Sequence, residues 1–329
     1  MKIGKVPENV LKRSILKQIV TKRSEILVGA GVGEDCAVLS IAEDEVLVMS
    51  TDPITAASVD MGKLAVTVTA NDLASSGAEP IGVMVTLLLN PEITEEEIKT
   101  LMSDITEEAS KLNIEVMGGH TEITDAVKRP LISITGVGKV KKNNYVVTKG
   151  ARPGDDVVIT KWVGLEGTSI IAYQNENALL ERFPEKMIYD AKGFSNYLSI
   201  VPEAATATKS GASAMHDVTE GGIFGALWEL AESSGVGLEI DLKKIPIKQE
   251  TIEICNYFDL NPYELISSGS LLIAVSDGNG LVQELRKQGI NAVVAGKCTE
   301  GNDRVIINGE NRRFLEPPKT DEIYRLNKE

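Results

Sequence analysis

The seven residues Lys149-Gly150-Ala151-Arg152-Pro153-Gly154-Asp155 constrain this chain most, because two glycines and a proline set among charges interrupt any regular element that reaches them. Beyond them the apolar pattern starts afresh with Val157-Val158-Ile159-Thr160. A chain of 329 residues divided there gives two domains, 1–149 and 150–329, each long enough to bury its own core.

Each half mixes strands with helices. In the first, Val10, Leu11, Ile15, Leu16 and Ile19 recur at helical spacing, with Pro7 suited to a first turn, and predict an amphipathic helix over 7–20. Val-, Ile- and Thr-rich stretches at 46–49, 81–89, 114–117 and 131–137 read as strands. Helices are predicted over 61–76 and 95–112. The second opens on a capping box of Thr94 and Glu97 and sets Ile98, Leu101, Met102, Ile105 and Ala109 on one face. The second half predicts helices near 203–209, 223–233 and 249–257, and strands near 237–240, 270–275, 292–295 and 305–307. Strands and helices without strict alternation point to α+β domains.

Composition narrows the class of partner. A hydrophobic share of 43% excludes intrinsic disorder as the main description, and three scattered cysteines, Cys36, Cys255 and Cys298, suggest reduced thiols. The longest apolar run, 81–89, falls far short of the ~18 residues a membrane span needs, and Met1-Lys2-Ile3-Gly4-Lys5 holds no apolar signal core. The expectation is a cytoplasmic protein with no membrane partner. Lys and Arg number 34 against 48 Asp and Glu, a net charge of −14 that repels phosphate backbones. The densest basic stretch, Lys139, Lys141, Lys142, Lys149 and Arg152, reads as a solvated hairpin and linker, and aromatics at 4% leave few stacking platforms, so no nucleic-acid partner is expected. An anion such as a nucleotide would be held locally, by backbone N–H groups and a bridging metal ion.

Several local patterns suit that chemistry, and each has a plain structural alternative. Gly29-Ala30-Gly31-Val32-Gly33-Glu34-Asp35 is not a dinucleotide fingerprint, since Glu34 takes the third glycine's place; it is a structural turn or a phosphate-approaching loop with Asp35 facing a metal. Asp52, in Ser50-Thr51-Asp52-Pro53, stands at the predicted carboxyl end of a strand, as a site residue or a turn former. Asn71-Asp72 interrupts an apolar helix and needs polar partners, from Mg²⁺ or from a hydrogen-bond network. Gly118-Gly119-His120 reads as a loop after a strand, where paired glycines let backbone approach a ligand and His120 is a catalyst or a satisfied polar residue. His216-Asp217-Val218-Thr219-Glu220-Gly221-Gly222 opens a helix, as an anion site or with Asp217 or Thr219 as its cap. Hard oxygen ligands at loop ends favour Mg²⁺ over zinc.

In order, Gly33-Glu34-Asp35-Cys36-Ala37, Ser50-Thr51-Asp52-Pro53-Ile54-Thr55, Met61-Gly62-Lys63-Leu64-Ala65 with Asn71-Asp72-Leu73-Ala74, Gly118-Gly119-His120-Thr121, and Asp217-Val218-Thr219-Glu220-Gly221-Gly222 resemble the aminoimidazole ribonucleotide synthetase superfamily. Gly4-Lys5-Val6-Pro7, Gly164-Leu165-Glu166-Gly167-Thr168 and Ile266-Ser267-Ser268-Gly269 look most like its branch of hydrogenase maturation factors, the carbamoyl dehydratases. The resemblance implies an N-terminal α+β domain whose strands complete a barrel across a homodimer, a C-terminal α+β domain, and ATP with Mg²⁺ as cofactors. Members phosphorylate an oxygen, often of an amide or carbonyl, and so make it a leaving group. By position, Asp35, Asp52 and Asp72 would hold Mg²⁺, Lys63 and Asn71 would support the phosphates, and Gly33, Gly118, Gly119, Asp217 and Thr219 would line the nucleotide cleft. Asp72, Lys63 and His120 would carry the chemistry. Cys298 is the last cysteine before Asn327-Lys328-Glu329, so the expected member lacks the C-terminal cysteine of carbamoyl dehydratases and acts on a small molecule or a partner maturation protein. His120 also resembles selenophosphate synthetases, and thiamine monophosphate kinase is a further relative. The alternatives implied are a scaffold without turnover and a small-molecule kinase.

Overall fold

A computed structural model of the chain describes residues 4–5, 7–31, 36–54, 60–317 and 319–327. Two units are distinguished, Met1–Ala74 with Ala78–Asn144, and Ser75–Gly77 with Tyr145–Glu329.

The first unit runs β1 (Gly4–Lys5), β2 (Ile26–Val28), β3 (Val38–Leu39), β4 (Glu45–Ile54), α1 (Met61–Ser75), β5 (Glu79–Leu89), α2 (Glu95–Lys111), β6 (Glu115–Ile123) and β7 (Leu131–Lys141). Its main sheet has the open order β1-β6-β5-β7-β4, with β5 and β6 parallel and the other neighbours antiparallel. Central β5 is buried along most of its length. Edge strand β4 alternates, with Val46, Val48, Ser50, Asp52 and Ile54 half-buried and Leu47, Met49, Thr51 and Pro53 exposed. One covered face and one open face follow from this period of two. Helix α1 covers the sheet, seated so closely that a Cβ on Gly136 of β7 would come within 2.5 Å of Thr69 Cγ2.

The predicted capping box opens α2: Glu97 N donates to Thr94 Oγ1 at 3.2 Å and Thr94 N donates to Glu97 Oε2 at 2.7 Å. The expected opening helix over 7–20 is broken instead into an α-turn at Glu8–Val10, a π-turn at Leu11–Ile15 and a 3-10 turn at Leu16–Gln18. Arg13 and Ser14 both bond Glu95 on α2, contacts that hold the wider turn in place. The basic stretch is neutralised in part by acids, Lys139 by Glu25 at 2.5 Å and Lys141 by Asp44 at 2.8 Å.

The second unit runs β8 (Asp156–Thr160), α3 (Leu165–Gln174), α4 (Glu176–Leu180), α5 (Glu185–Lys192), α6 (Val201–Lys209), β9 (Ala214–Asp217), α7 (Gly222–Ser234), β10 (Gly237–Asp241), α8 (Gln249–Tyr257), β11 (Leu271–Val275), α9 (Gly278–Lys287), β12 (Ala292–Thr299), β13 (Arg304–Asn308) and β14 (Asn311–Phe314), then a 3-10 turn at Glu322–Asn327. The sheet order is β14-β13-β10-β12-β8-β11-β9, and only β10 and β13 pair in parallel. Its core gathers Val157, Ile159, Phe224, Leu227, Leu238 and Leu272. Two mixed sheets, each with helices, make the chain a two-domain α+β protein. No helix among the described residues is long and apolar enough to cross a membrane.

Candidate active site

Asp52 lies within β4 and not beyond its end, because the strand continues through Pro53 to Ile54. Proline fits there since, among the described residues, β4 is the sheet's edge and pairs with β7 alone. Ser50 and Asp52 are two residues apart on one strand, so both side chains point to the same half-buried face. Ser50 Oγ donates a short hydrogen bond to Asp72 Oδ2, which brings Asp72 of α1 to that face as well. Asp52 Oδ2 is buried and finds no hydrogen-bond partner among the described residues.

A buried carboxylate oxygen without a donor is unfavourable unless a cation or a proton meets it. Mg²⁺ takes one or two protein carboxylates and completes its octahedron with water and phosphate oxygens. The hard-oxygen pair Asp52 and Asp72 fits that ion. Asp35 and Gly33 lie outside the described residues. Among the described residues no group of three or more His, Cys, Asp or Glu side chains stands ready for a metal.

Asn71, 1% exposed, is engaged in polar contacts, as is Asp72. Lys63 lies in the first turn of α1, its Nζ 3.6 Å from Asp60 Oδ1. Burial raises the nearby Asp104 carboxyl above its usual range, and Asp60 and Glu107 add to this while Lys63 opposes it. Lys63 is therefore a cation set among acids on the helix that carries Asn71 and Asp72.

Gly118, Gly119 and His120 are not in a loop. They belong to β6, which stays paired with β5 through a register shift at Val83/Met84. Two glycines read as a break, but here Gly119 adopts φ +146°, and a Cβ on it would lie 1.8 Å from Val85 O. His120 is exposed, with Nε2 3.3 Å from Glu122 Oε2 two residues along the same face.

In the second unit Asp217 ends β9, where it pairs with Leu271 of β11, and Thr219 lies in the loop before α7. The cap of α7 is Gly221, with no side-chain bond, so neither Asp217 nor Thr219 fills that role. His216 Nε2 stands 2.8 Å from Glu229 Oε2. The structure thus brings Asp52 and Asp72 to one face of β4 and keeps Lys63 and Asn71 on the same helix as Asp72. Two polar partners had no assigned role in the sequence reading, Ser50 for Asp72 and Glu122 for His120. Their signal is the period-two spacing, Ser50 to Asp52 and His120 to Glu122.

All three cysteines are free. Burial pushes the Cys255 and Cys298 thiols up to about 12, which leaves them inert, whereas Cys36 is exposed.

Family models for the AIR synthase related protein match both halves, the N-terminal domain over residues 33–140 and the C-terminal domain over 152–308. The chain belongs to the AIR synthase related protein family. Within that family, a hydrogenase expression/formation protein of Methanocaldococcus jannaschii is 28% identical over 336 residues, covering 98% of this chain and 97% of the relative. The carbamoyl dehydratase HypE of Rhodobacter capsulatus is 26% identical over 278 residues, covering 83% of this chain and 78% of its own. Hydrogenase maturation protein HypE, solved in complex with ATP, shares the fold with a TM-score of 0.80 at 18% identity, over 96% of this chain and 95% of its own.

Proposed function

We propose that this AIR synthase related protein is an ATP- and Mg²⁺-dependent enzyme of the carbamoyl dehydratase type, activating an amide or carbonyl oxygen by phosphoryl transfer from ATP. The observation that carries the reading is the buried Asp52 Oδ2, without a hydrogen-bond partner among the described residues, on the face that Asp72 also meets. Support comes from a relative named a carbamoyl dehydratase and from the ATP bound by a HypE of the same fold.

In this reading Asp52 and Asp72 hold Mg²⁺, which neutralises phosphate charge, and Asp35 completes the set. Lys63 and Asn71 orient the phosphates. Gly33, Gly118, Gly119, Asp217 and Thr219 keep the cleft-lining assignment that their motifs give them. In the same reading His120, beside Glu122, moves a proton. The substrate amide oxygen attacks the γ-phosphorus as one N–H proton is lost and C=N forms, ADP leaves, and loss of the second N–H proton then expels phosphate as the C–O bond breaks and C≡N forms. Phosphoryl transfer of this kind depends on positioning and charge neutralisation more than on covalent catalysis. The substrate is a small molecule or a carbamoylated partner maturation protein, and the site of action is the cytoplasm.

A homodimer that closes a shared barrel is part of the proposal. Its support is the outward face of edge strand β4, where Leu47 is 42% and Met49 64% exposed.

Nucleotide product analysis tests the reading. Purified protein is incubated with Mg-ATP alone and with a carbamoylated peptide, thiamine monophosphate or selenide. ADP formed only with the carbamoylated peptide supports the proposal. ADP with thiamine monophosphate makes the chain a small-molecule kinase, AMP with selenide makes it a selenophosphate-type enzyme, and bound ATP without product makes it a scaffold.

A further inference from the structure

Three elements of the second unit meet at a cluster of acidic side chains. Glu166 comes from the first turn of α3, Glu220 from the loop before α7, and Asp321 and Tyr324 from the C-terminal 3-10 turn and the residue before it. Asp321, 2% exposed, accepts from Gly221 N at 2.7 Å and from Ile323 N at 2.9 Å. Tyr324 donates to Glu220 Oε1 at 2.7 Å. Glu322 accepts from Asn261 N at 2.8 Å, while Ile323 and Leu326 pack on an apolar cluster around Ile171, Ile254 and Leu265. The turn is thereby fastened to the loop that carries Thr219 to Gly222.

Glu166 is the exception within this contact. It is 6% exposed, and its Oε2 finds no hydrogen-bond partner among the described residues. The groups around it are Ser268, which donates through its hydroxyl and its backbone N–H, the Tyr324 phenol, and the like-charged Asp321 and Glu220. The one arginine of the turn, Arg325, is directed elsewhere, to Glu322 and Asp259. A carboxylate so placed has no cation opposite it and one oxygen without a donor among the described residues, which favours the neutral acid over the charged form.

We propose that Glu166 is a proton-operated latch: with a proton on its carboxyl the 3-10 turn Glu322–Asn327 stays docked on the Thr219–Gly222 loop, and loss of that proton loosens the dock.

Of the neighbours, Asp321 too is raised above its ordinary value, chiefly by burial. Asp321 has backbone N–H donors on both oxygens, which favour its charged form against the burial that raises it. The Tyr324 phenol, pushed up to about 12 chiefly by its bond to Glu220, stays neutral through the physiological range. Burial is the main cause that raises Glu166 above the ordinary carboxylate value of 4.5. The sign follows by linkage. A carboxyl raised in the docked state gives full docking below its ordinary value, and docking weakens as pH climbs towards the raised value. Each unit of that rise shifts the docking equilibrium about tenfold. Because Asp217 and Thr219 flank the same loop, the proton on Glu166 also sets how firmly those residues are held. No nucleotide is needed, so the inference stands or falls apart from the proposed reaction.

Amide hydrogen exchange on the full chain, corrected for intrinsic rates, tests it across about pH 4 to about pH 9, a window that opens below the ordinary carboxyl value. In the wild type, protection of 322–327 and 219–222 should fall as pH rises. Glu166→Gln, equal in shape and permanently neutral, should hold that protection flat and exceed the wild type about tenfold at the alkaline end. Protection independent of pH in the wild type, or a Glu166→Gln profile that follows the wild type, overturns the proposal. Isotope-edited infrared spectra of glutamate-labelled wild type give a second measurement that needs no variant. A protonated-carboxyl stretch should persist above the ordinary carboxyl value of 4.5 and disappear as the turn loosens, and its absence while the turn is docked also overturns the latch.

Discussion

Ser50 of β4 donates its hydroxyl to Asp72 of α1, joining strand and helix beside the carboxylate oxygen of Asp52 that has no donor among the described residues. A hydrogen bond to a charged group contributes about 1.5–3 kcal/mol. Ser50→Ala should therefore lower stability by roughly that amount and weaken Mg-ATP binding about tenfold, because Asp72 loses a fixed orientation. Ser50→Thr keeps the hydroxyl and should restore binding. Denaturant unfolding and calorimetric titration check both, and unchanged affinity in Ser50→Ala would show that Asp72 is not oriented through this bond.

Asp52 gives a prediction of opposite sign in the two media. Without a cation its buried oxygen is an unfavourable charge, so Asp52→Asn should leave the melting temperature in EDTA equal to or above the wild type. With Mg²⁺ and ATP the wild type should be stabilised and the variant should not, since binding to the native state raises stability only where a site exists. Thermal melts under the two conditions decide this. Equal Mg-ATP stabilisation of both proteins would remove Asp52 from the metal site.

Much of this arrangement is visible in the amino-acid order. The Thr94 and Glu97 capping box and the apolar stripe of α2 each have a local physical signature, and each coincides with a feature of the fold. The extension of β4 through Asp52 and Pro53 was hidden because proline reads as a stop, and only the edge position makes it tolerable. Helix α3 was missed for a different reason. Leu165, Glu166, Gly167, Thr168, Ser169, Ile171 and Ala172 are all buried, so there is no polar face to set a period. Strand β14, Asn311–Phe314, is exposed at every position and shows no alternation either. In the site, Asp72 is legible as a carboxylate out of place in an apolar helix and Asp52 as one at a predicted strand end, whereas the tie between Ser50 and Asp72 needs tertiary structure to be seen.

Gly119 tests the reading of β6 as a continuous strand. A side chain at φ +146° is strained, and its Cβ would overlap Val85 O. Gly119→Ala should therefore cost more than about 3 kcal/mol, beyond the usual range for surface substitutions, as β5 and β6 separate. Gly154→Ala is the control, since its positive φ of 95° carries strain but nothing lies within 4 Å of the added Cβ. Unfolding curves of the two variants separate overlap from conformational strain. Equal losses would mean that the close approach to Val85 contributes nothing.

Glu25 gives the acid limit of the first unit. Arg23 chiefly, and Lys139 after it, hold its carboxyl down to about 2, against an ordinary value of 4.5. Arg23 bonds it at 2.9 Å and Lys139 at 2.5 Å, which ties the residue before β2 to β7 of the main sheet. For a carboxyl lowered by folding, the contribution is present above the ordinary value and is lost as pH falls towards the lowered one. Glu25→Gln should then reduce stability at neutral pH, and the gap from wild type should close between about pH 4.5 and about pH 2, where both proteins carry a neutral side chain. Denaturant unfolding of the two proteins at a series of pH values follows that gap directly. A gap that stays constant through this interval would show that Glu25 acts by packing and not by its charge.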